Sequence, residues 1–318
     1  MSVSVALCTY NGSKFINEQV DSLVNQTLPP DEIVVCDDNS KDDTLAKIAA
    51  FQRAYPNISF VIKKNERNLG VVKNFEQAAV LSHGDIIFFC DQDDVWDLNK
   101  IRRVVDCFTA HPSAYMVCHD ALIVDENLKS MGTTFWQIAG ISQDVFAGGN
   151  YSRLLKGSAI QGSSIAFRRS LLHEAVPFSD SAFHDEWMSL NAANQGDIIM
   201  LPDLLIKYRQ SGHNAVGIAK HSVWERCMTY RRSYREKLED HFHKLNRRKR
   251  VFDDLAKNNL NEPFKTEINR ARMVLAGQIA FIQGQSHRHS YRVLKQFYGK
   301  QLGQKQYVKD MLGRIVLR

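Results

Sequence analysis

The stretch IIFFCDQDDVWD, residues 86–97, places five apolar residues directly before three closely spaced carboxylates. The apolar run has the length and composition of a buried β-strand. Asp91, Asp93 and Asp94 follow it within four positions, and each negative charge raises the cost of ionising the next. A metal ion or a helix N-terminus is the kind of positive partner that stabilises such a cluster. The stretch therefore predicts a strand that ends at an anionic site.

Short apolar runs alternate with amphipathic segments on both sides of this stretch. The pattern predicts strands at 4–8, 32–36, 58–63, 85–90 and near 114–118, and helices at 14–26, 41–55, 71–82 and about 98–109. Ser40 precedes the acidic start of the second helix and is its expected N-cap. Strands and helices in this order predict an α/β fold with a mostly parallel sheet covered on both faces.

Polar clusters follow three of the predicted strands. They are Thr9–Asn11, Asp37–Asp38 and Asp91–Asp94. Ligands bind beyond the carboxyl ends of the strands in such sheets, so we expect the three clusters to meet at one edge. Neither GxGxxG nor GxxxxGK[ST] is present, which argues against a dinucleotide-binding dehydrogenase and against a P-loop NTPase.

The composition is typical of a soluble globular protein. The 318 residues include 44% hydrophobic and 24% charged residues, enough for two structural units. No apolar run approaches the length of a membrane span, and the N-terminus lacks the basic region of a signal peptide, so we expect a cytoplasmic location. The six cysteines are scattered without a CxxC pair, which favours reduced thiols over a zinc site or a disulfide framework.

The charge divides the chain into an acidic part and a basic part. Residues 1–217 carry 18 Lys/Arg and 26 Asp/Glu, whereas residues 218–318 carry 23 and 9. Apolar residues recur at helical spacing within 224–245, 268–282 and 308–315, so the second part is expected to be helical with basic faces such as Arg247–Arg248–Lys249–Arg250. Two interpretations stay open: packing or oligomer contact through the apolar stripes, and attachment to anionic lipid. We favour a combination of the two.

A series of motifs in the first part resembles family 2 glycosyltransferases of the GT-A fold. The motifs are SVALCTYNG (4–12), CDDNSKDDT (36–44), NLGVVKNFEQA (68–78), GDIIFFCDQDD (84–94), GSSIAFRRSLL (162–172), HDEWMSL (184–190) and DLLIKYRQSGHNAVG (203–217). DQDDVW and YRQ…NAVG are most similar to bacterial rhamnosyltransferase-type enzymes of surface polysaccharide synthesis. The resemblance implies a GT-A domain over 1–217, followed by a basic helical region, 218–318, for membrane association or oligomerisation.

The resemblance also implies a metal site. Asp91 and Asp93 match the family's DxD pair, in which Asp93 is expected to contact Mn²⁺ or Mg²⁺ and Asp91 the ribose or a metal-bound water. Asp94 could share the ligation, because the sequence does not decide which adjacent carboxylate points inward. His213 stands two positions after the family's usual histidine, so it is a candidate for the metal or diphosphate, although a single histidine is more often an ordinary loop residue.

Donor-binding residues follow from the same resemblance. Tyr10 is expected to stack on the nucleobase, and Asp38 to accept an N–H from its imide group. Five further residues are donor-site candidates for which turn or capping roles stay open: Thr9, Asp37, Asn68, Gly70 and Asn74.

The motif HDEWMSL implies the catalytic base. Asp185 occupies the position of the family's base, whereas His184 departs from the usual glutamate. If the region is helical, Glu186 is rotated by about 100° from Asp185 and cannot readily share its role. The acceptor side is expected to include four residues, although Trp187 is also a candidate core residue: Gly162, Ser163, Glu186 and Trp187.

The function implied is a metal-dependent, inverting transfer of a sugar from dTDP-rhamnose or a UDP-sugar to a lipid-linked or polymeric glycan. The expected location is peripheral, at the inner face of the plasma membrane. A haloacid-dehalogenase-like phosphatase also has Asp-x-Asp after a strand, but after its first strand rather than its fourth. A non-catalytic scaffold that binds membrane or nucleic acid through the basic helices is the remaining alternative. No nucleic-acid-binding motif accompanies those helices, so no nucleic-acid partner is expected.

Overall fold

The structure is a computed structural model that describes residues 1–149, 151–156, 160–210, 234–262 and 264–282. The chain divides into two compact units, Met1–Gly217 and Ile218–Arg318. Within the described residues, no helix combines the length and apolar character needed to cross a membrane. The candidate site lies in the first unit.

Strands and helices alternate through the first unit. The strands are β1 (Val3–Thr9), β2 (Glu32–Asp37), β3 (Ser59–Lys64), β4 (Ile86–Cys90), β5 (Val95–Trp96), β6 (Ala114–Asp125), β7 (Ser130–Thr134), β8 (Ile165–Arg168) and β9 (Asp197–Gln210). The helices are α1 (Ile16–Val24), α2 (Thr44–Ala54), α3 (Val71–Leu81), α4 (Lys100–Ala110), α5 (Phe135–Ala139), α6 (Leu172–Ala175) and α7 (His184–Gln195). Of the short 3₁₀ turns, Gly162–Ser164 bears on the site.

The expected α/β fold is confirmed, with a sheet in the order β3-β2-β1-β4-β8-β6-β9-β5 and β7 beside β6. Strands β1 to β4 are parallel, with Cys8 opposite Cys36 and Leu7 opposite Cys90. Beyond β4 the sheet is mixed, because β8 runs antiparallel to both β4 and β6. The four residues of β8 lie in a segment without a clear period, so the sequence pattern did not reveal this insertion.

Local patterns account for most of the first unit. All residues of β1, β2 and β4 are buried, as expected for strands covered on both faces. The predicted N-cap at Ser40 is wrong: α2 begins at Thr44 with Asp43 as its N-cap. Ser40 instead donates its hydroxyl to Asp37 Oδ2, at 2.5 Å, within the turn that follows β2.

The second unit contains two described helices, α8 (Tyr234–Leu255) and α9 (Phe264–Ile282). Leu245 of α8 and Ile268 and Ile279 of α9 are buried, so the predicted amphipathic helix at 268–282 and the described part of the one within 224–245 are confirmed. Asp253 accepts from Arg272 Nε at 2.8 Å and from Lys249 Nζ at 2.6 Å. The helical patterns at 224–228 and 308–315 lie outside the described residues.

Candidate active site

The three polar clusters come together at the carboxyl ends of β1, β2 and β4. The backbone N–H of Asn11 donates to Ser40 Oγ at 2.8 Å, which joins the first cluster to the second. Gln92 lies between Asp91 and Asp93, and its amide accepts from Tyr10 N–H at 2.8 Å and donates to Tyr10 O at 3.1 Å. These bonds hold the carboxylate loop against the loop after β1, and the Tyr10 side chain is 49% exposed beside them.

Thr9 and Asp37 close the turn at the end of β2. Asp37 is fully buried, and its Oδ2 accepts from Thr9 Oγ1 at 2.8 Å. Its Oδ1 accepts from the backbone N–H of Ser40, also at 2.8 Å. Both candidates for the donor site therefore have the turn-forming role that the sequence left open.

Asp38 anchors the loop that precedes α3. Its Oδ1 accepts from Asn65 Nδ2 at 3.0 Å and from Leu69 N–H at 2.7 Å, and its Oδ2 accepts from Gly70 N–H at 3.0 Å. Asn74 is also buried and donates to Cys36 O at 2.8 Å. Asp38 is only 3% exposed and both of its carboxylate oxygens accept hydrogen bonds from the 65–70 loop, so the structure shows it anchoring that loop, and its contact with a nucleobase stays a prediction.

Gly70 and Asn68 shape the same loop. Gly70 has φ +82°, a conformation that favours glycine, and directly precedes α3. Asn68 is exposed, and its side-chain oxygen accepts from Gly70 N–H at 3.0 Å. Of the loop candidates, Asn68 is the one whose side chain is open to a ligand.

Asp91, Asp93 and Asp185 form the anionic centre of the site. The pKa of Asp91 is raised to about 7, chiefly by burial and also by the carboxylates of Asp93 and Asp185, whereas a hydrogen bond from Ser163 acts in the opposite direction. Burial also raises the pKa of Asp93, with the Arg209 charge acting in the opposite direction. Because the charge of Asp185 affects the pKa of Asp91, these two residues share one electrostatic environment although they are almost a hundred positions apart in the sequence.

Asp94 belongs to the core. It is fully buried, its Oδ2 accepts from Ser163 Oγ at 2.8 Å, and its Oδ1 accepts from Arg209 N–H at 3.0 Å. Burial holds its pKa well above the ordinary value, reinforced by Asp93 and Asp91. The predicted sharing of a metal ion by Asp94 does not fit this placement, because both of its oxygens join structural elements.

Lys100 is a buried lysine that the sequence analysis missed. Its Nζ donates to Ser163 O at 2.6 Å and lies 3.5 Å from the centroid of the Trp96 ring. Burial lowers its pKa to about 7, although Cys90, Asp94 and Asp91 favour the charged form. The sequence analysis missed it because a lysine at the start of an amphipathic helix usually faces solvent. Its position six residues after Asp94 was the available indication that it lies near the carboxylates.

Arg209 is a second residue that the motif analysis did not single out, although it lies in the quoted YRQ segment. Its Nε donates to Asp93 O at 2.7 Å, and its other nitrogens donate to Glu126 O and to the Glu18 carboxylate. The guanidinium carbon lies 4.3 Å from the centroid of the Phe15 ring. Arg209, near the end of β9, therefore fixes the backbone of the carboxylate loop.

Asp185 is the second residue of α7 and is half-buried. Its Oδ1 accepts from Glu186 N–H at 2.6 Å, so the carboxylate lies at the positive end of the helix. Glu186 and Trp187 are buried, and Trp187 Nε1 donates to Ala175 O at 2.6 Å. An acceptor-side role for Trp187 does not fit this packing, because its ring has no open face for a sugar.

Gly162 and Ser163 are buried as well. Ser163 is engaged with Asp94 and Lys100, and Gly162 lies against the His184 ring. Gly162 and Ser163 were predicted to lie beside the acceptor; in the structure they lie beneath the carboxylates, between β4 and α7.

The site offers carboxylate oxygens to a cation. Among the described residues, no three His, Cys, Asp or Glu side chains form a metal-binding group, and His213 lies outside them. Mg²⁺ is commonly held by one or two carboxylates together with substrate phosphates, so Asp91 and Asp93 suffice as its protein ligands. The raised pKa of Asp91 beside two other carboxylates is consistent with a place for a positive ion.

Comparison with known sequences agrees with this chemistry. Residues 4–175 match the family model described as Glycosyl transferase family 2. The dTDP-rhamnosyl transferase RfbG of Shigella flexneri is 28% identical over 227 residues, 66% of this chain and 73% of RfbG. The UDP-Glc:alpha-D-GlcNAc-diphosphoundecaprenol beta-1,3-glucosyltransferase WfgD of Escherichia coli is 26% identical over 213 residues, 66% of this chain and 77% of WfgD. Matches to Mycobacterium and Nostoc proteins span 64% and 66% of those relatives' lengths.

Solved structures with the same fold include two complexes with nucleotide sugars. S. aureus TarS 1–349 with UDP-GlcNAc has a TM-score of 0.59 and 18% identity, covering 98% of this chain and 79% of TarS. The mannosyltransferase PcManGT of Pyrobaculum calidifontis with GDP-Man and Mn²⁺ has a TM-score of 0.53 and 18% identity, covering 99% and 84%. At this identity the likeness establishes the fold.

Proposed function

The chain belongs to glycosyl transferase family 2, and we propose that it transfers a sugar from a nucleotide-diphosphate donor to a hydroxyl group of a glycan acceptor, with inversion at the anomeric carbon. The observation that supports this proposal is the electrostatic interaction of Asp185 with Asp91, which lies with Asp93 directly after β4. A donor site and a base are both needed for an inverting transfer, and these carboxylates supply both.

Asp93 and Asp91 would hold a divalent cation, Mn²⁺ or Mg²⁺. When bound, the ion neutralises the charge that develops on the departing diphosphate. Gln92 and Arg209 hold the backbone on either side of Asp93, so the carboxylates have fixed positions before the donor arrives. Tyr10 supplies an exposed ring beside them for the nucleobase.

Asp185 would act as the general base. As the acceptor oxygen forms its bond to the anomeric carbon, the bond from that carbon to the diphosphate oxygen breaks, and the hydroxyl proton passes to Asp185. The first-turn position in α7 favours the ionised carboxylate, because the free N–H groups of a helix N-terminus stabilise negative charge.

The relatives support a choice of donors and an acceptor class. RfbG is named for dTDP-rhamnose, and WfgD for UDP-Glc and a diphosphoundecaprenol-linked sugar. We therefore favour dTDP-rhamnose or a UDP-sugar as donor and a lipid-linked or polymeric glycan of bacterial surface polysaccharide as acceptor. Residues 1–217 would carry the transfer, and the basic residues 218–318 would contact anionic membrane at the cytoplasmic face or form an oligomer.

The donor site is tested by thermal shift with UDP, dTDP, GDP and CMP, each with and without Mn²⁺ or Mg²⁺. We expect one nucleotide to stabilise the protein, more strongly with metal, and Asp93→Ala to abolish the metal-dependent part. Asp106→Ala is the matched control, because Asp106 is an exposed aspartate on α4. An unchanged metal response in Asp93→Ala would remove Asp93 from the proposal; no response to any nucleotide would favour the scaffold alternative.

The base is tested with Asp185→Asn, which keeps the size of the side chain. We expect nucleotide affinity close to that of the parent and turnover lower by a factor on the order of 10² or more. Unchanged turnover would exclude Asp185 as the base. Co-sedimentation with anionic and neutral liposomes over a range of salt concentrations, beside a gel shift with RNA, separates membrane contact from nucleic-acid binding.

A further inference from the structure

His184 is wedged between two elements of the site. It is the first residue of α7 and is 7% exposed. Its ring stacks on Phe75 of α3, with centroids 3.9 Å apart and planes 15° apart, and it meets Phe89 of β4 edge-on at 5.3 Å. The ring is therefore held on one face by α3 and at its edge by the central strand.

Gly162 closes the remaining side. A Cβ atom added to Gly162 would lie 2.5 Å from His184 Nε2 and 3.3 Å from Cε1. Gly162 does not have a positive φ, so space and not backbone conformation calls for glycine here. The tip of the imidazole thus rests directly on the Gly162–Ser164 turn.

The same turn holds the carboxylate loop. Ser163 donates to Asp94 Oδ2 and accepts from Lys100 at its carbonyl oxygen. Asp94 directly follows Asp93, the candidate metal ligand. A contact between His184 and this turn therefore sets the distance from the carboxylate loop to the start of α7.

The imidazole acts through its shape. Burial lowers its pKa to about 3, so the ring is neutral at physiological pH. Within the described part of the chain neither ring nitrogen has a hydrogen-bond partner, which is destabilising for a buried polar group. Because buried polar groups without partners are rare and His184 directly precedes Asp185, we expect its burial to serve the site.

We propose that His184 is a positioning residue for Asp185. Packed between Phe75 and Gly162, it fixes the rotation of the first turn of α7 about the helix axis, relative to the carboxylate loop. Successive residues of a helix point about 100° apart, so fixing His184 toward the core fixes Asp185 toward Asp91. This inference rests on the proposed function, in which Asp185 is the base.

The test is a double-mutant cycle with Gly162→Ala and His184→Asn. The added methyl group of Gly162→Ala must displace the ring by nearly 1 Å to reach an ordinary contact distance of about 3.4 Å. Asparagine lacks atoms equivalent to Nε2 and Cε1, so His184→Asn opens space for that methyl group. Crystal structures of both single variants and the double variant measure the shift of Asp185. Release of nucleoside diphosphate from UDP-glucose or dTDP-rhamnose, with alkyl-diphosphate-linked GlcNAc as acceptor, measures kcat and KM.

We expect Gly162→Ala to shift Asp185 and to lower kcat about 10- to 100-fold, because misplacing a catalytic group by 1 Å has effects of that size. Nucleotide affinity should stay within about threefold, since the donor carboxylates remain in place. The double variant should recover at least about fivefold in kcat and return Asp185 toward its parental position.

Three results would overturn the inference: an unshifted Asp185 in Gly162→Ala, no recovery in the double variant, or a loss of nucleotide affinity as large as the loss of kcat. Asp185→Asn, measured beside them, separates the two proposals. If Asp185→Asn keeps its turnover, the proposed base is wrong; if it loses turnover while the cycle shows no coupling, only the positioning role of His184 is wrong.

Discussion

Replacing Arg209 with methionine is expected to destabilise the first unit strongly. The side chain of Arg209 is 1% exposed, and it joins the Asp93 and Glu126 carbonyl groups, the Glu18 carboxylate and the Phe15 ring. Methionine fills much of the same volume without offering any donor. The variant therefore leaves the Asp93 carbonyl without its charged donor and releases the loop that carries the candidate metal ligand.

The size of the effect follows from the burial of each contact. Hydrogen bonds from a charged donor contribute about 1.5–3 kcal/mol each, and the cation–π contact about 1 kcal/mol. The Glu18 carboxylate is 51% exposed, so solvent screens that pair and it contributes at most about 1 kcal/mol. After subtraction of the cost of burying the guanidinium itself, Arg209→Met should lower the free energy of unfolding by about 3–5 kcal/mol. This is a large part of a typical stability of about 5–15 kcal/mol.

Urea unfolding at 25 °C, followed by far-ultraviolet circular dichroism, measures this cost as a change in the free energy of unfolding. Arg209→Lys should recover less than half, because an ammonium group cannot reproduce the forked contacts. Arg103→Met is the matched control: Arg103 bonds Asp203 at 2.8 Å but is 51% exposed, so its loss should stay within about 1 kcal/mol. If Arg209→Met costs no more than Arg103→Met, the reasoning from burial is refuted.

Two further predictions concern α7. The pKa of His184 lies at about 3 in the folded protein and near 6.5 in the unfolded chain, so its contribution to stability is present above pH 6.5 and is lost as pH falls toward 3. Between pH 7.5 and 5, His184→Asn should therefore lose about 2 kcal/mol less unfolding free energy than the parent; an equal loss would contradict the buried neutral ring. Trp187→Phe removes the donor to Ala175 O and should cost about 1–3 kcal/mol in urea unfolding, with an unchanged KM for the acceptor. A raised KM without loss of stability would instead restore Trp187 to the acceptor side.

Local patterns predicted β1 to β4, the start of β6 and helices α1 to α4, because the periods of buried residues are properties of short segments. The apolar runs of β1, β2 and β4 are buried along their whole length, as their composition indicated. The antiparallel strand β8 could not be predicted in this way, since its neighbours β4 and β6 lie far away in sequence. The misassigned Ser40 cap has a similar origin, because Asp37 competes for the same hydroxyl group.

The sequence by itself determined the kind of site: a buried strand ending in carboxylates, on an α/β sheet, with a further aspartate at the start of a later helix. Only the tertiary structure decided which carboxylate belongs to the core. Asp93 and Asp94 are adjacent in an irregular loop, where no helical or strand period sets the direction of a side chain. Ser163 and Arg209, about 70 and 115 positions further along the chain, hold Asp94 inward, and Arg209 also fixes the backbone of Asp93. Their bonds depend on how distant segments pack, so the direction of each carboxylate is a property of the folded unit.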